Sequence, residues 1–118
     1  MGVYTYIYAK NAKRRSSSLK KKYNKAGTKC SVSFVVPPEQ ARGFLEAHLV
    51  GDFNNWDTVS HAMGRAKTGG FELTIELDAG KEYYFRYLFD SKTWDNDWNA
   101  DKYIPSPFAD SENSVVIV

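Results

Sequence analysis

Three tryptophans lie in polar parts of the sequence, where a buried indole is not expected. Trp56 follows the turn residues of VGDFNNWD, and Trp94 and Trp98 lie in FDSKTWDNDWNADKY, a segment too polar for a core strand. A sugar ring has an apolar face of C–H bonds and a rim of hydroxyls. A site for it needs a flat aromatic platform with hydrogen-bonding side chains beside it. The set is therefore typical of a carbohydrate site, and the alternative is that the indoles pack beneath their own loops. Of the three, we assign Trp98 to structural packing.

The second tryptophan segment also carries several acidic residues, and glycoside hydrolysis needs two carboxylates that flank the scissile bond. The chain has 118 residues, which is too short for a (β/α)₈ barrel of about 250 residues that could orient a sugar. We therefore interpret these acids as solvated loop residues and not as catalysts. They are Asp90, Asp95, Asp97 and Asp101. We expect no enzymatic activity.

Metal and nucleophile motifs are not evident. Asp95-x-Asp97-x-Asn99 has the spacing that opens an EF-hand loop, but Ala100 replaces the required glycine and Ser106 replaces the closing glutamate. His48 and His61 have no second histidine or cysteine at ligand spacing. No strand–turn–helix elbow supports a Ser-His-Asp triad. The sequence predicts no metal site and no cofactor.

The charge of the chain is unevenly distributed. Residues 1–29 hold nine basic and no acidic side chains, and residues 30–118 hold seven basic and fourteen acidic ones. We expect residues 1–27 to form a flexible basic segment, within which Val3–Tyr8 could add a strand, and residues 28–118 to form the domain. Because the body is acidic, the pI of about 8.6 does not indicate nucleic-acid binding.

The compartment follows from the single cysteine and from hydropathy. Cys30 cannot form an internal disulfide, which favours a reducing environment. No apolar run approaches the roughly 20 residues of a membrane span. The sequence therefore predicts a cytoplasmic protein with no membrane partner.

Alternation of apolar and polar residues predicts several strands. Apolar residues recur at every second position in residues 30–36, 71–78 and 82–89, and a last strand is expected at 113–118. Pro37-Pro38 ends the first strand, and residues 90–112 are expected to be a long connection. Short strands separated by turns predict an all-β fold, an antiparallel β-sandwich.

The order of these motifs resembles carbohydrate-binding module family 48. The motifs are VGDFNNWD, then GGFELTIELDAGKEYYFRYLFDSKTWDND, then ENSVVIV, and the likeness covers roughly residues 28–118. This immunoglobulin-like, early-set domain precedes isoamylases and glycogen branching enzymes and forms the glycogen-binding domain of the AMP-activated protein kinase beta subunit. The chain is also similar to short bacterial proteins that consist of this domain alone.

The resemblance implies a set of sugar-binding residues. By their match to the family's motifs, Trp56 and Trp94 would form the platform, and Arg86 and Asn113 would hydrogen-bond sugar hydroxyls. Arg86 also lies, by alternation, on the face of its strand opposite Tyr83, Phe85 and Tyr87. Two further residues are assigned to the site. They are Asn55, beside Trp56, and Phe108, in the loop where relatives offer a leucine to the glucan.

Two functions remain as alternatives from the sequence. The first is a non-catalytic module that binds an α-glucan polysaccharide or oligosaccharide of the glycogen or starch type by aromatic stacking. The second is a protein-interaction module that docks a glucan-active enzyme or a kinase-like complex in trans without binding sugar itself.

Overall fold

The computed structural model describes residues 19–107 and 111–118. Within them the chain forms short strands connected mostly by turns. The strands are β1 Leu19–Tyr23, β2 Lys29–Val36, β3 Ala47–Gly51, β4 Gly64–Arg65, β5 Phe71–Asp78, β6 Glu82–Phe89, β7 Thr93–Asp95, β8 Lys102–Pro105 and β9 Glu112–Ile117. A four-residue helix, α1 Pro38–Ala41, follows β2, and a 3₁₀ turn, Asp52–Asn54, follows β3. None of the helices in this part of the chain is long and apolar enough to cross a membrane.

The strands form two antiparallel sheets that pack face to face. The β2–β5 sheet has the order β1-β2-β5-β4, and the β3–β6 sheet has the order β3-β6-β9-β8, with β7 also paired to β6. This is the antiparallel β-sandwich that the sequence predicts, with the strand content of an immunoglobulin-like early-set domain.

The core lies between the two sheets and is built from every second residue of the central strands. Phe34 of β2 meets Phe85 of β6 edge-on, with ring centroids 5.0 Å apart, and contacts Phe53 of the 3₁₀ turn at 5.7 Å. The predicted inward rows of β2, β5 and β6 are confirmed by their burial. In β6 the alternation leaves Tyr84, Arg86 and Leu88 on the outer face of the β3–β6 sheet.

The connection predicted over residues 90–112 is wrong in part. It contains β7, which pairs with the end of β6, and β8, which pairs with β9. Both strands are short, and neither carries a sustained apolar alternation, so the periodicity of the sequence did not reveal them.

The boundary predicted at residue 28 is also wrong for part of the basic segment. β1 is rich in lysine, but it pairs with β2 over five residues, and Leu19 enters the core with 5% exposure. Strand pairing here outweighs the low hydrophobicity of the segment. Residues 1–18, including Val3–Tyr8, lie outside the described residues.

The burial of Leu19 generates a prediction about β1. Leu19→Ala removes a buried side chain and should lower the free energy of unfolding by about 2 kcal/mol or more. Lys20→Ala, on the exposed face of the same strand, should change it by less than about 0.5 kcal/mol. Urea unfolding of both variants checks this. Equal stability of the two variants would show that β1 does not contribute to the cooperative fold.

Candidate functional site

The turn after β3 presents Trp56 on an uncommon backbone. Asn55 and Trp56 both have positive φ, at 55° and 58°. Asparagine tolerates this left-handed region, but a bulky residue there is rare and costs conformational energy. The turn is held by Asn54, whose side-chain oxygen accepts from the Gly51 amide at 3.1 Å, and by the Trp56 amide, which donates to the Gly51 carbonyl at 2.9 Å. These hydrogen bonds fix the backbone from which the indole of Trp56 projects.

Gly51 is required where the turn meets β6. A β-carbon at this position would lie 2.5 Å from the Tyr84 carbonyl oxygen and 2.8 Å from the Phe85 β-carbon. Because the neighbouring atoms belong to the backbone and the core, they cannot move aside cheaply. Phe53 packs against the core and anchors the turn.

One carboxylate connects the turn to β6. Asp52 accepts the indole N–H of Trp56 through Oδ1 at 3.0 Å and the backbone amide of Tyr84 through Oδ2 at 2.7 Å. Hydrogen bonds to an ionised acceptor are the stronger class of hydrogen bond. The ring of Trp56 is therefore fixed relative to the first half of β6.

The outer face of β6 carries the polar centre of the site. Arg86 donates from Nε to Oδ1 of Asn113, the second residue of β9, at 3.0 Å. Burial lowers the pKa of the Arg86 guanidinium from its usual value, although an arginine remains charged at neutral pH. Arg86 Nη2 is buried and has no hydrogen-bond partner among the described residues. An unsatisfied buried donor of this kind is uncommon in folded proteins.

Trp94 lies at the other end of the same face. It belongs to β7, not to a loop, and pairs with Leu88 of β6, so its side chain projects on the same side as Leu88 and Arg86. Its indole is 43% exposed. An exposed ring of this size on a strand is available to stack on a flat partner.

These elements enclose a groove of about 650 Å³. The groove is floored by the outer face of β6 and walled on one side by the end of β8. Its lining residues are Asp52, Trp56, Tyr84, Arg86, Trp94, Ile104, Pro105, Ser106, Pro107 and Asn113. A volume of this size and a lining of aromatic and apolar groups around a few donors are usual for a small-molecule site.

The structure brings four of the six predicted site residues together. Trp56, Trp94, Arg86 and Asn113 all line the groove. Asn55 is exposed and lies outside the lining, and its contribution is the left-handed backbone of the turn. Phe108 lies outside the described residues.

The interpretation of Trp98 as a packing residue is wrong. Its side chain is 43% exposed, and it is not part of the groove lining. The polar sequence around it therefore reflects a surface position and not an indole folded beneath its loop.

The interpretation of the four loop aspartates as solvated residues is wrong for the buried Asp97 and incomplete for the other three, because all four accept hydrogen bonds within the fold. Asp90 accepts the amides of Leu45 and Glu46 through Oδ1, at 2.9 and 3.0 Å. Asp101 accepts the Ile117 amide and the Lys21 ammonium through Oδ2, each at 2.7 Å. Asp95 accepts the side-chain amide of Gln40 at 3.1 Å. These carboxylates hold connections between strands.

The fourth aspartate lies at the centre of a buried polar network beneath β7. Asp97 is 1% exposed and accepts the hydroxyl proton of Tyr87 at 2.6 Å, and its amide donates to the Ser114 hydroxyl at 2.9 Å. Burial, and then the neighbouring Asp97 carboxylate, raise the pKa of Tyr87 well above its usual value. The network secures the chain that leaves β7, and so supports the position of Trp94.

The described residues contain no group of three or more His, Cys, Asp or Glu side chains that could hold a metal ion. His61 is held by Asn54, whose side-chain nitrogen lies 3.1 Å from its Nδ1. His48 lies on the same face as Leu88, its cross-strand partner, and its Nδ1 is 3.9 Å from Glu46 Oε1. Neither histidine lines the groove.

Comparison with known proteins gives the family. The family model for carbohydrate-binding module 48 (isoamylase N-terminal domain) matches residues 39–109, which is more than half of the chain. The chain belongs to this family. The matched residues include Trp56, Arg86 and Trp94, so the platform and the basic residue of the groove lie within the carbohydrate-binding module 48 region.

One protein of similar sequence and one solved structure of similar fold illustrate what the chain resembles. The chain is 45% identical over 42 residues to a 1,4-alpha-glucan-branching enzyme of Emericella nidulans, a match that spans 36% of this chain and 6% of that enzyme. Its fold is similar to that of a ferric enterobactin esterase from Salmonella typhimurium, with a TM-score of 0.66 and 11% identity. That match covers 92% of this chain and 36% of the esterase. The second likeness concerns the fold alone.

Sequence reasoning missed two groups of groove residues in this carbohydrate-binding module 48 domain. Tyr84 could have been found, because it shares the strand face of Arg86 by simple alternation. No sequence pattern marked Asp52 or residues 104–107 as groove residues. The placement of Asp52 depends on the geometry of the turn, and that of residues 104–107 depends on strand β8, which the sequence did not predict.

The Tyr87–Asp97 hydrogen bond generates a prediction about stability. Tyr87→Phe leaves a buried carboxylate without one donor, and should lower the free energy of unfolding at pH 7 by about 1–3 kcal/mol. Urea unfolding of the wild type and of the variant measures this difference.

The difference in the free energy of unfolding between the wild type and Tyr87→Phe should depend on pH. Because the pKa of Tyr87 is raised on folding, its contribution is fully present below the ordinary tyrosine pKa of about 10. Above that pH the unfolded chain loses its proton first, so the advantage of the wild type should shrink by about 1.4 kcal/mol per pH unit. A constant difference from pH 8 to pH 11 would contradict the assignment.

Proposed function

We propose that the chain is a non-catalytic module that binds an α-glucan of the glycogen or starch type in the groove over β6. The observation that carries this proposal is the convergence of two indoles, Trp56 and Trp94, with the polar pair Arg86–Asn113 in one groove. Membership of carbohydrate-binding module 48 and the match to a protein named 1,4-alpha-glucan-branching enzyme support an α-glucan as the ligand class.

The chemistry of the groove fits a sugar chain. Indole faces can cover the C–H faces of sugar rings, and such aromatic contacts add to the free energy gained by burying apolar area. The Arg86 guanidinium and the Asn113 side-chain nitrogen supply donors between the two rings. Because Asn113 Oδ1 already accepts from Arg86, the amide of Asn113 is oriented with its N–H groups available to a ligand oxygen.

Among the residues that the structure describes, the groove lacks the pair of carboxylates that hydrolysis needs. Glycosidases require two acids on either side of the scissile bond. Among the described residues that line the groove, the acid is Asp52, and both of its oxygens accept internal hydrogen bonds. This favours binding without catalysis.

The test is migration in a native gel that contains glycogen. Wild-type protein should be retarded by glycogen, and Trp94→Ala should weaken the interaction by about tenfold or more, because it removes an exposed stacking surface. Trp94 is 43% exposed and lies on a three-residue strand outside the core, so its removal should leave the fold intact.

The matched control is Trp98→Ala, which removes an indole with the same 43% exposure that lies outside the groove. This variant should bind as the wild type does. Wild-type protein that migrates identically with and without glycogen would refute the proposal. Capture of a glucan-active enzyme that survives excess maltoheptaose would instead favour a docking module.

A further inference from the structure

Tyr84 lines the groove, and its hydroxyl has no evident structural role. It lies two residues before Arg86 on the outer face of β6, lines the groove and is 36% exposed. Within residues 19–107 and 111–118 its hydroxyl has no hydrogen-bond partner. The side chain is therefore accessible to a molecule bound in the groove.

The position of Tyr84 is fixed by the same carboxylate that orients Trp56. Asp52 accepts the Tyr84 amide through one oxygen and the Trp56 indole through the other, at 2.7 and 3.0 Å. The two aromatic residues therefore lie together at one end of the groove, and the carboxylate sets their relative position.

Trp94 marks the opposite end. It is level with Leu88, its cross-strand partner, which is four residues along β6 from Tyr84. At about 3.3 Å per residue this separation is about 13 Å of strand. Arg86 and Asn113 lie between the two ends.

We propose that Tyr84 forms, with Trp56, an additional sugar subsite at this end of the groove, and that the subsite selects linear α-glucan segments long enough to reach it from Trp94. The phenol ring stacks on one further glucose unit, and its hydroxyl exchanges a hydrogen bond with a sugar hydroxyl. The inference rests on the proposed function and adds a determinant of chain length to it.

The competing explanation for the ring is packing. Tyr84 pairs across strands with Val115, which is fully buried although it faces away from the core. A variant that keeps an apolar side chain over Val115 but removes the aromatic ring distinguishes packing from sugar binding. Tyr84→Leu does this, and Tyr84→Phe keeps the ring and removes only the hydroxyl.

The experiment is titration of wild type and both variants with the series from maltotriose to maltoheptaose. Thermal unfolding of each variant establishes that it is folded. Tyr84→Leu should weaken binding of maltoheptaose by about two- to tenfold, and should reduce the gain in affinity between maltotriose and maltoheptaose. Tyr84→Phe should give a smaller loss. Tyr23→Leu, which changes an exposed tyrosine on β1 of the other sheet, should have no effect.

The outcomes separate this inference from the proposed function. Unchanged affinity of Tyr84→Leu for maltoheptaose, in a protein whose binding is lost in Trp94→Ala, would overturn the Tyr84 subsite alone. An equal loss for every ligand from maltotriose upward would overturn the selection for length. Failure of the wild type to bind any member of the series would overturn both proposals.

Discussion

The groove depends on the alternation of β6, which faces the core with one set of side chains and the groove with the other. β6 is bonded to β3 along one edge and to β9 and β7 along the other. A shift of one residue in its register would bury Arg86 and expose Phe85. The aromatic core therefore holds the groove residues in position, because Phe85, Tyr87 and Phe89 cannot leave the interior without a large loss of buried apolar area.

Aspartate carboxylates hold several of the connecting segments in position. Asp52 ties the turn to β6, Asp90 holds the chain that enters β3, and Asp97 secures the chain that leaves β7. A carboxylate is well suited to this because it accepts several hydrogen bonds and satisfies backbone amides that have no strand partner. An abundance of aspartate near aromatic residues can thus indicate a braced binding surface as well as a catalytic one.

The central strands, and four of the residues that line the groove, could be predicted from the sequence. β5 and β6 alternate clearly, so their bounds and the outward direction of Arg86 follow from period two alone. The likeness to a known family placed Trp56, Trp94 and Asn113. β1, β7 and β8 could not be predicted, since a lysine-rich edge strand and strands of three or four residues owe their form to pairing partners distant in sequence. For the same reason the roles of Asp52 and Asp97 could not be predicted from the sequence.

The hydrogen bond between Arg86 and Asn113 affects how a sugar in the groove would be hydrated. With the acceptor oxygen of Asn113 and both oxygens of Asp52 each engaged in a hydrogen bond inside the protein, the groove offers a ligand more free donors than free acceptors. Many hydroxyl protons of a sugar bound as proposed would then donate to water, which gives a wet interface. A module that binds sugar as proposed would hold a branched polymer through repeated rebinding to its many equivalent chain segments, so that residence on the particle would exceed residence on any one chain.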